Sequence, residues 1–221
     1  MNSVQHSPEF RLENGRLFRN DQEFLQLQHL YKAAMKEIRM RLEVLNDEFR
    51  VTYARSPIHH IESRLKSTES IVEKLERKGL PVTVETAKER LNDIGGIRVV
   101  CNYIDDVYAV EKMLLRQTDI TLVKRQDYIE KPNYNGYRSL HLDVRVPIFL
   151  SDRTEYVLVE LQIRSVAMDF WASLEHDLRY KVADKAALPQ GINEEMLQCA
   201  DEIAVIDRKM QDMYHRIQEA K

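Results

Sequence analysis

The stretch KPNYNGYRSLHLDVRVP, residues 131–147, decides the fold. Its first half carries Pro132, Asn133, Asn135 and Gly136, which is loop chemistry. From Ser139 the chain alternates. Ser139, His141, Asp143 and Arg145 fall on one side, and Leu140, Leu142, Val144 and Val146 on the other. A period of two predicts a strand with one buried face. An ordinary wet face carries Thr, Ser or Lys. This one carries His, Asp and Arg, with Tyr137 and Arg138 at its mouth, so the polar side of the sheet is marked for chemistry.

Working outward, strands and helices alternate. Residues 58–66 read as a strand, and 68–78 as a helix stopped by Gly79. Thr83 caps a short helix running through Leu91, and residues 97–101 form an apolar strand. Asp105 is placed to cap a helix over 106–116. Strands follow at 121–128, 139–146 and 155–164. Ser165 caps a helix to about Tyr180, and the loop ALPQG leads into the last helix. At the two ends lie long amphipathic helices. From Asp21 to near Tyr53, Phe24, Leu27, Tyr31, Ala34, Ile38, Leu42, Leu45 and Phe49 recur at threes and fours. Met196, Cys199, Ile203, Ile206, Met210, Met213 and Ile217 repeat the pattern. Both stripes suit packing on the core or on each other, and equally suit a second copy of the chain. Residues 1–20 read as a flexible arm. The expectation is one α+β (α/β-like) domain over 21–221, its core at about 55–185, with a mixed sheet of about five strands between helices.

Composition narrows the class. The chain has 221 residues, 43% hydrophobic and 31% charged, which suits a globular domain with a sizeable core. A net charge of −3 excludes the global basic field of a non-specific nucleic-acid binder, so any anion site is a local cluster. No apolar run approaches the roughly 20 residues of a membrane span, and the N-terminus lacks the apolar core of a signal peptide. Cys101 and Cys199 read as buried thiols in a reducing compartment. These features predict a cytoplasmic protein.

The polar faces carry the candidate site. Arg64 and Lys66 share a face with His60 and Glu62, and two adjacent cations on a sheet suit a nucleotide. A solvated edge strand explains them equally well. The next helix opens at Thr68–Ser70, whose first turn offers free amides to an anion, with Lys74 one turn on. No GxxxxGK[ST] loop occurs. In LNDIGGIRVV, Asp93 precedes a Gly pair that lets the backbone turn tightly, and Arg98 interrupts an apolar strand. Arg98 needs a carboxylate, a phosphate or an aromatic plane, and a structural pair with Asp93 is one answer. VLVELQIR places Glu160 at mid-strand beside Gln162, a poor core choice and a good catalytic one. Asp93 and Glu160, from separate strands, could share Mg²⁺, which takes one or two protein carboxylates and completes its shell with phosphates. The histidines lack zinc spacing with the cysteines. Tyr137 can lie against a base, with Arg138, Lys131 and Arg125 near enough in sequence to neutralise a second phosphate group. In AMDFWASLEH, the apolar stripe Ala167, Phe170, Trp171, Leu174 and Leu178 reads as core, with Asp169, Ser173 and His176 on another face.

Together, SRLKSTESIVEKLERKG, LNDIGGIRVVCNY, NYNGYRSLHL, VELQIR and AMDFWASLEH resemble the synthetase domain of the RelA/SpoT family, most of all its stand-alone small alarmone synthetases of the RelP and RelQ kind. The resemblance covers about residue 20 to the end. It implies a nucleotidyltransferase-like sheet and a GTP pyrophosphokinase without a hydrolase segment. Such an enzyme moves the β,γ-pyrophosphoryl group of ATP to the 3′-hydroxyl of GTP or GDP, giving AMP and pppGpp or ppGpp. By the same resemblance, Arg64 and Arg98 would sandwich adenine, and Lys66, Ser70 and Lys74 would hold ATP phosphates. Asp93 and Glu160 would bind Mg²⁺, with Glu160 activating the 3′-hydroxyl. Tyr137 would stack on guanine, and His141, Gln162 and Asp169 would complete the acceptor side. Asp169 stands where many relatives have Asn. The likeness also implies a homotetramer, with no nucleic acid or membrane required. Two rivals remain open: a nucleotidyltransferase acting on an RNA or small molecule, and a silent nucleotide- or RNA-binding module. The first usually needs a paired acidic strand motif, and Asp105-Asp106 sits at a helix start instead.

Overall fold

The computed structural model describes residues 21–180 and 189–220. The expected arm, residues 1–20, and the first two residues of ALPQG lie outside them. In chain order the elements are α1 (Asp21–Tyr53), β1 (Ile58–Leu65), α2 (Thr68–Arg77), α3 (Val84–Arg90), β2 (Gly95–Cys101), α4 (Ile104–Leu115), β3 (Thr121–Asp127), β4 (Leu140–Phe149), β5 (Thr154–Ser165), α5 (Val166–Tyr180) and α6 (Ile192–Glu219). The strands form one five-stranded sheet in the order β1-β2-β5-β4-β3. Only β2–β5 is parallel, so the sheet is mixed.

Alternation divides the sheet into two faces, as the sequence predicts. Ile97 and Val99 of β2, Leu140, Leu142 and Val144 of β4, and Val159, Leu161 and Ile163 of β5 are all buried on one side. Against them α1 lays Leu27, Tyr31, Ala34, Ile38 and Leu42, in the same core cluster. Fully burying a large aliphatic side chain contributes roughly 1.5–3 kcal/mol, so this stripe anchors α1 to the sheet. From Leu27 to Leu42 the α1 stripe is therefore core, Leu45 and Phe49 are half-buried, and the Phe24 side chain lies outside the described residues. The α6 stripe is not core: α6 buries Met196, Ala200 and Ala204, while Ile206, Met210, Met213 and Ile217 stay exposed.

Hydroxyl caps start three helices, and two of them, Thr83 and Ser165, are the caps the sequence predicts. Ser67 accepts from the Ser70 amide at 3.3 Å, Thr83 from Thr86 at 3.1 Å, and Ser165 from Met168 at 3.1 Å. The expected Asp105 cap does not form. α4 starts at Ile104 behind Tyr103, which makes no side-chain cap. Asp105 instead accepts from Gln211 of α6 at 3.0 Å and lies 2.7 Å from His215, while Asp106 is buried against Arg55 at 2.6 Å. The acidic first turn docks other elements rather than capping its own.

Three further corrections concern packing. Cys199 is exposed, and only Cys101 is buried. The α5 stripe splits, because Met168, Trp171 and Ala172 turn inward and leave Phe170, Leu174 and Leu178 exposed. The Gly95-Gly96 pair makes no tight turn and lies within β2. Its use is steric: a Cβ on Gly95 would come within 3.1 Å of Tyr31 of α1. At Gly136 both conformation and space demand glycine, since φ is +84° and a Cβ would meet that of Ala200 at 2.5 Å.

Candidate active site

The polar face of the sheet floors a cleft of about 250 Å³ lined by Arg64, Lys66, Asp93, Arg98, Glu160 and Gln162, among others. Register brings them together. Arg64 pairs with Gly96 and Gly96 with Glu160; Glu62 pairs with Arg98 and Arg98 with Gln162. Between Arg64 and Glu160 the floor therefore carries no side chain.

Asp93 sits on the loop between α3 and β2, not in a strand as expected. The Lys66 amide donates to the Ile94 carbonyl at 2.8 Å and draws this loop to the end of β1. Lys66 Nζ and Lys74 Nζ then reach Asp93 Oδ2 at 2.8 and 2.6 Å. Burial works to raise the Asp93 carboxyl, but the bonds from the two ammoniums outweigh it and hold it below its ordinary value. Its second oxygen, Oδ1, is buried without a partner. The Asp93–Arg98 pair does not form. Arg98 turns to Glu62 at 3.0 Å and Asp169 at 3.6 Å. Ser70 lies in the first turn of α2, its hydroxyl 3.1 Å from that of Ser67.

Glu160 accepts from Gln162 Nε2 at 3.1 Å and lies 3.6 Å from His141 Nδ1. Burial works against its charge, yet His141 and Gln162 hold the carboxyl below its usual range. Directly across β4, Asp143 faces Glu160. Burial pushes Asp143 up, and Asn92 steadies it through a 2.8 Å bond.

Tyr137, His141, Gln162 and Asp169 also converge. The Tyr137 hydroxyl is 2.9 Å from His141 Nε2, and the Arg164 guanidinium contacts Tyr137, Gln162 and Asp169. Arg125 and Lys131 do not join them. Arg125 pairs in register with Leu142, so it points to the core side, where Glu111 and Asp127 bind it at 2.7 and 3.1 Å. An irregularity between Leu122 and Lys124 puts Lys124 opposite Asp143, on the polar face. Lys131 is exposed in the turn after β3, and Arg138 pairs with Asp201 of α6 at 2.9 Å. Sequence reasoning missed Arg164, Lys124, Asn92 and Glu62 as members of the site. Arg164 and Glu62 carried a signal, since both alternate onto the polar faces. A bulge and a loop contact hide Lys124 and Asn92.

Comparison with known proteins bears on this geometry. Residues 63–185 match the family described as "Region found in RelA / SpoT proteins", and the chain belongs to that family. Among curated relatives it is 42% identical over 181 residues to the GTP pyrophosphokinase YwaC of Bacillus subtilis, covering 82% of this chain and 85% of that protein. It is 34% identical over 192 residues to the GTP pyrophosphokinase YjbM of the same organism, covering 86% and 88%. Small alarmone synthetase 1 of Bacillus subtilis, solved with its product pppGpp, superposes with a TM-score of 0.81 at 32% identity, covering 90% of this chain and all of that one. The family was legible from the quoted motifs, and the mixed sheet with flanking helices agrees with these structures.

Proposed function

We infer that this chain is a GTP pyrophosphokinase: it moves the β,γ-pyrophosphoryl group of ATP to the 3′-hydroxyl of GTP or GDP, giving AMP and pppGpp or ppGpp. The observation that carries the reading is one cleft holding Lys66, Lys74, Asp93 and Glu160 beside Arg64 and Arg98. Pyrophosphoryl transfer asks a protein for positioning and charge neutralisation more than for covalent catalysis, and this cleft supplies both.

In this reading adenine lies between Arg64 and Arg98. Their backbones are diagonal neighbours on one face, and such neighbours stand roughly 7–8 Å apart, room for one flat ring. Lys66 and Lys74 each spend one donor on Asp93 and keep two for ATP phosphates. Ser70 adds a hydroxyl at the opening of α2. Tyr137 stacks on guanine, and His141, Gln162 and Asp169 border the acceptor. Glu160 takes the proton of the 3′-hydroxyl as its oxygen bonds to the β-phosphorus, and the bond to the AMP oxygen breaks. Among the described residues no three His, Cys, Asp or Glu side chains cluster for a metal. Asp93, with its unpartnered oxygen, and Glu160 fit Mg²⁺ and would hold it, and the ion would supply charge neutralisation to the phosphates.

We place the enzyme in the cytoplasm, a reading its two unpaired thiols fit; no described helix is long and apolar enough to cross a membrane. We also propose a homotetramer, supported by the exposed α6 stripe and an apolar groove of about 760 Å³ between α5 and α6. The functional reading is tested by incubating the protein with ATP, Mg²⁺ and GTP and separating the nucleotides. AMP plus a guanosine pentaphosphate is expected. Release of inorganic pyrophosphate would point to nucleotidyl transfer instead.

A further inference from the structure

We propose that Arg164 is a positioning residue that sets the direction of the four hydrogen bonds linking five side chains around Glu160. The inference rests on the reading that Glu160 is the base.

The ring is laid out on three elements. Arg164 Nη2 donates to Gln162 Oε1 at 2.5 Å and to the Tyr137 hydroxyl at 3.1 Å. Gln162 Nε2 donates to Glu160 Oε2 at 3.1 Å. On the other side the Tyr137 hydroxyl meets His141 Nε2 at 2.9 Å, and His141 Nδ1 faces Glu160 Oε1 at 3.6 Å. Arginine has donors only. Gln162 must therefore turn its carbonyl to Arg164 and its amide nitrogen to Glu160. The Tyr137 oxygen accepts from Arg164, which leaves its own proton for His141. With Nε2 accepting, the neutral imidazole carries its proton on Nδ1, aimed at Glu160. Both arms of the ring thus point donors at the same carboxylate.

Burial supports a role beyond filling space. The Arg164 side chain is 3% exposed, and its Nε is buried without a partner. Its guanidinium carbon stands 5.5 Å from the centroid of the Tyr137 ring, so it also fixes the ring's tilt. A buried cation is costly, and three neighbours from separate elements, Tyr137, Gln162 and Asp169, share it here. Asp169 Oδ1, at 3.4 Å, supplies the formal counter-charge.

The test is the tautomer of His141, read by long-range ¹H–¹⁵N correlation on the full chain above the ordinary histidine range. A His141→Asn sample assigns the signals. Wild type should show the Nδ1-protonated form, and Arg164→Met should shift His141 to the Nε2-protonated form or a mixture. In turnover, Arg164→Met should lower kcat on the order of 10–100-fold, the scale of a small misplacement. The KM for ATP should hold within about two-fold, and Arg164→Lys should recover part of the rate. An unchanged tautomer, or equal rises in both KM values with kcat intact, would overturn the proposal. If Arg164→Met does not fold, Tyr137→Phe, which removes only the hydroxyl, must change the tautomer. If it does not, the ring has no such role. Wild type making no AMP and pentaphosphate would sink the functional reading instead, and the tautomer still decides the ring.

Discussion

Lys74 Nζ lies 2.6 Å from Asp93 Oδ2, and that one contact ties helix α2 to the loop before β2. Asp93 has one oxygen committed to two ammoniums and the other buried without a partner. The residue is thus divided between a lysine clamp and a buried oxygen with no protein partner, and this division separates two explanations of a mutant.

Asp93→Asn should weaken the use of Mg²⁺, so that activity partly recovers at raised Mg²⁺ or with Mn²⁺. A metal titration at saturating ATP checks this. A raised KM for ATP with an unchanged metal dependence would mean that Asp93 serves only to hold Lys66 and Lys74.

Glu160→Gln should abolish turnover while nucleotide binding stays within a few-fold. The amide keeps the shape and the neighbours but cannot take the hydroxyl proton, a loss of about 10²–10⁴ in rate. Single-turnover kinetics beside calorimetric nucleotide binding separates the two effects. Near-normal turnover removes Glu160 from the role of base.

Much of this site was legible because its residues sit on strands, where a period of two assigns faces without knowledge of the partner strand. Arg64, Arg98, Glu160, Gln162 and His141 all reach one face for that reason. Arg125 escaped the rule because one irregularity, between Leu122 and Lys124, shifts the alternation of β3 by a residue. The Asp105 cap failed for a different reason. The sequence offered Asp105 to its own helix, and residues 106 and 110 positions away in the chain, Gln211 and His215, took it. Long-range competition of that kind leaves no local trace.

Tyr137→Ala should raise the KM for GTP far more than that for ATP. Base stacking on an aromatic ring is worth roughly 1–3 kcal/mol, and in the proposed reading adenine stacks between Arg64 and Arg98 instead. Steady-state kinetics with each nucleotide varied in turn is the check. Equal rises would assign Tyr137 to shaping the loop around Gly136.

Arg55→Met should destabilise the fold by about 3 kcal/mol, because it strands Asp106, whose side chain is 1% exposed. The loss should shrink as pH falls. Burial, the largest influence on Asp106, holds its carboxyl above the ordinary value even with Arg55 beside it, and without Arg55 it rises further. A carboxyl whose pKa is higher folded than unfolded costs the fold most above the folded value, and protonation relieves that cost. The difference in melting temperature between mutant and wild type should therefore narrow below neutral pH. A constant difference would mean that Arg55 acts mainly through its packing on Phe49 and Tyr214.

The last prediction concerns assembly. The two stripes that looked alike in sequence part company in the fold: α1 spends its stripe on the sheet, and α6 leaves Ile206, Met210, Met213 and Ile217 in solvent. On α5, Phe170, Leu174 and Leu178 are exposed as well, and Phe170 shares one apolar groove with Ile206 and Met210. Surfaces of that kind on a single chain mark interaction sites, and self-complementary seams close most often into symmetric assemblies. A homotetramer should therefore appear by light scattering at micromolar concentration, and a mass near the 26.1 kDa chain would end the idea. Ile206→Glu with Met210→Glu should lower the mass while the fold survives. Both side chains are about half exposed in the single chain, whereas Ile203 is partly buried against Trp171 and would confuse assembly with folding. Loss of soluble protein from the double variant, with no smaller species formed, would show that the groove belongs to the folding core.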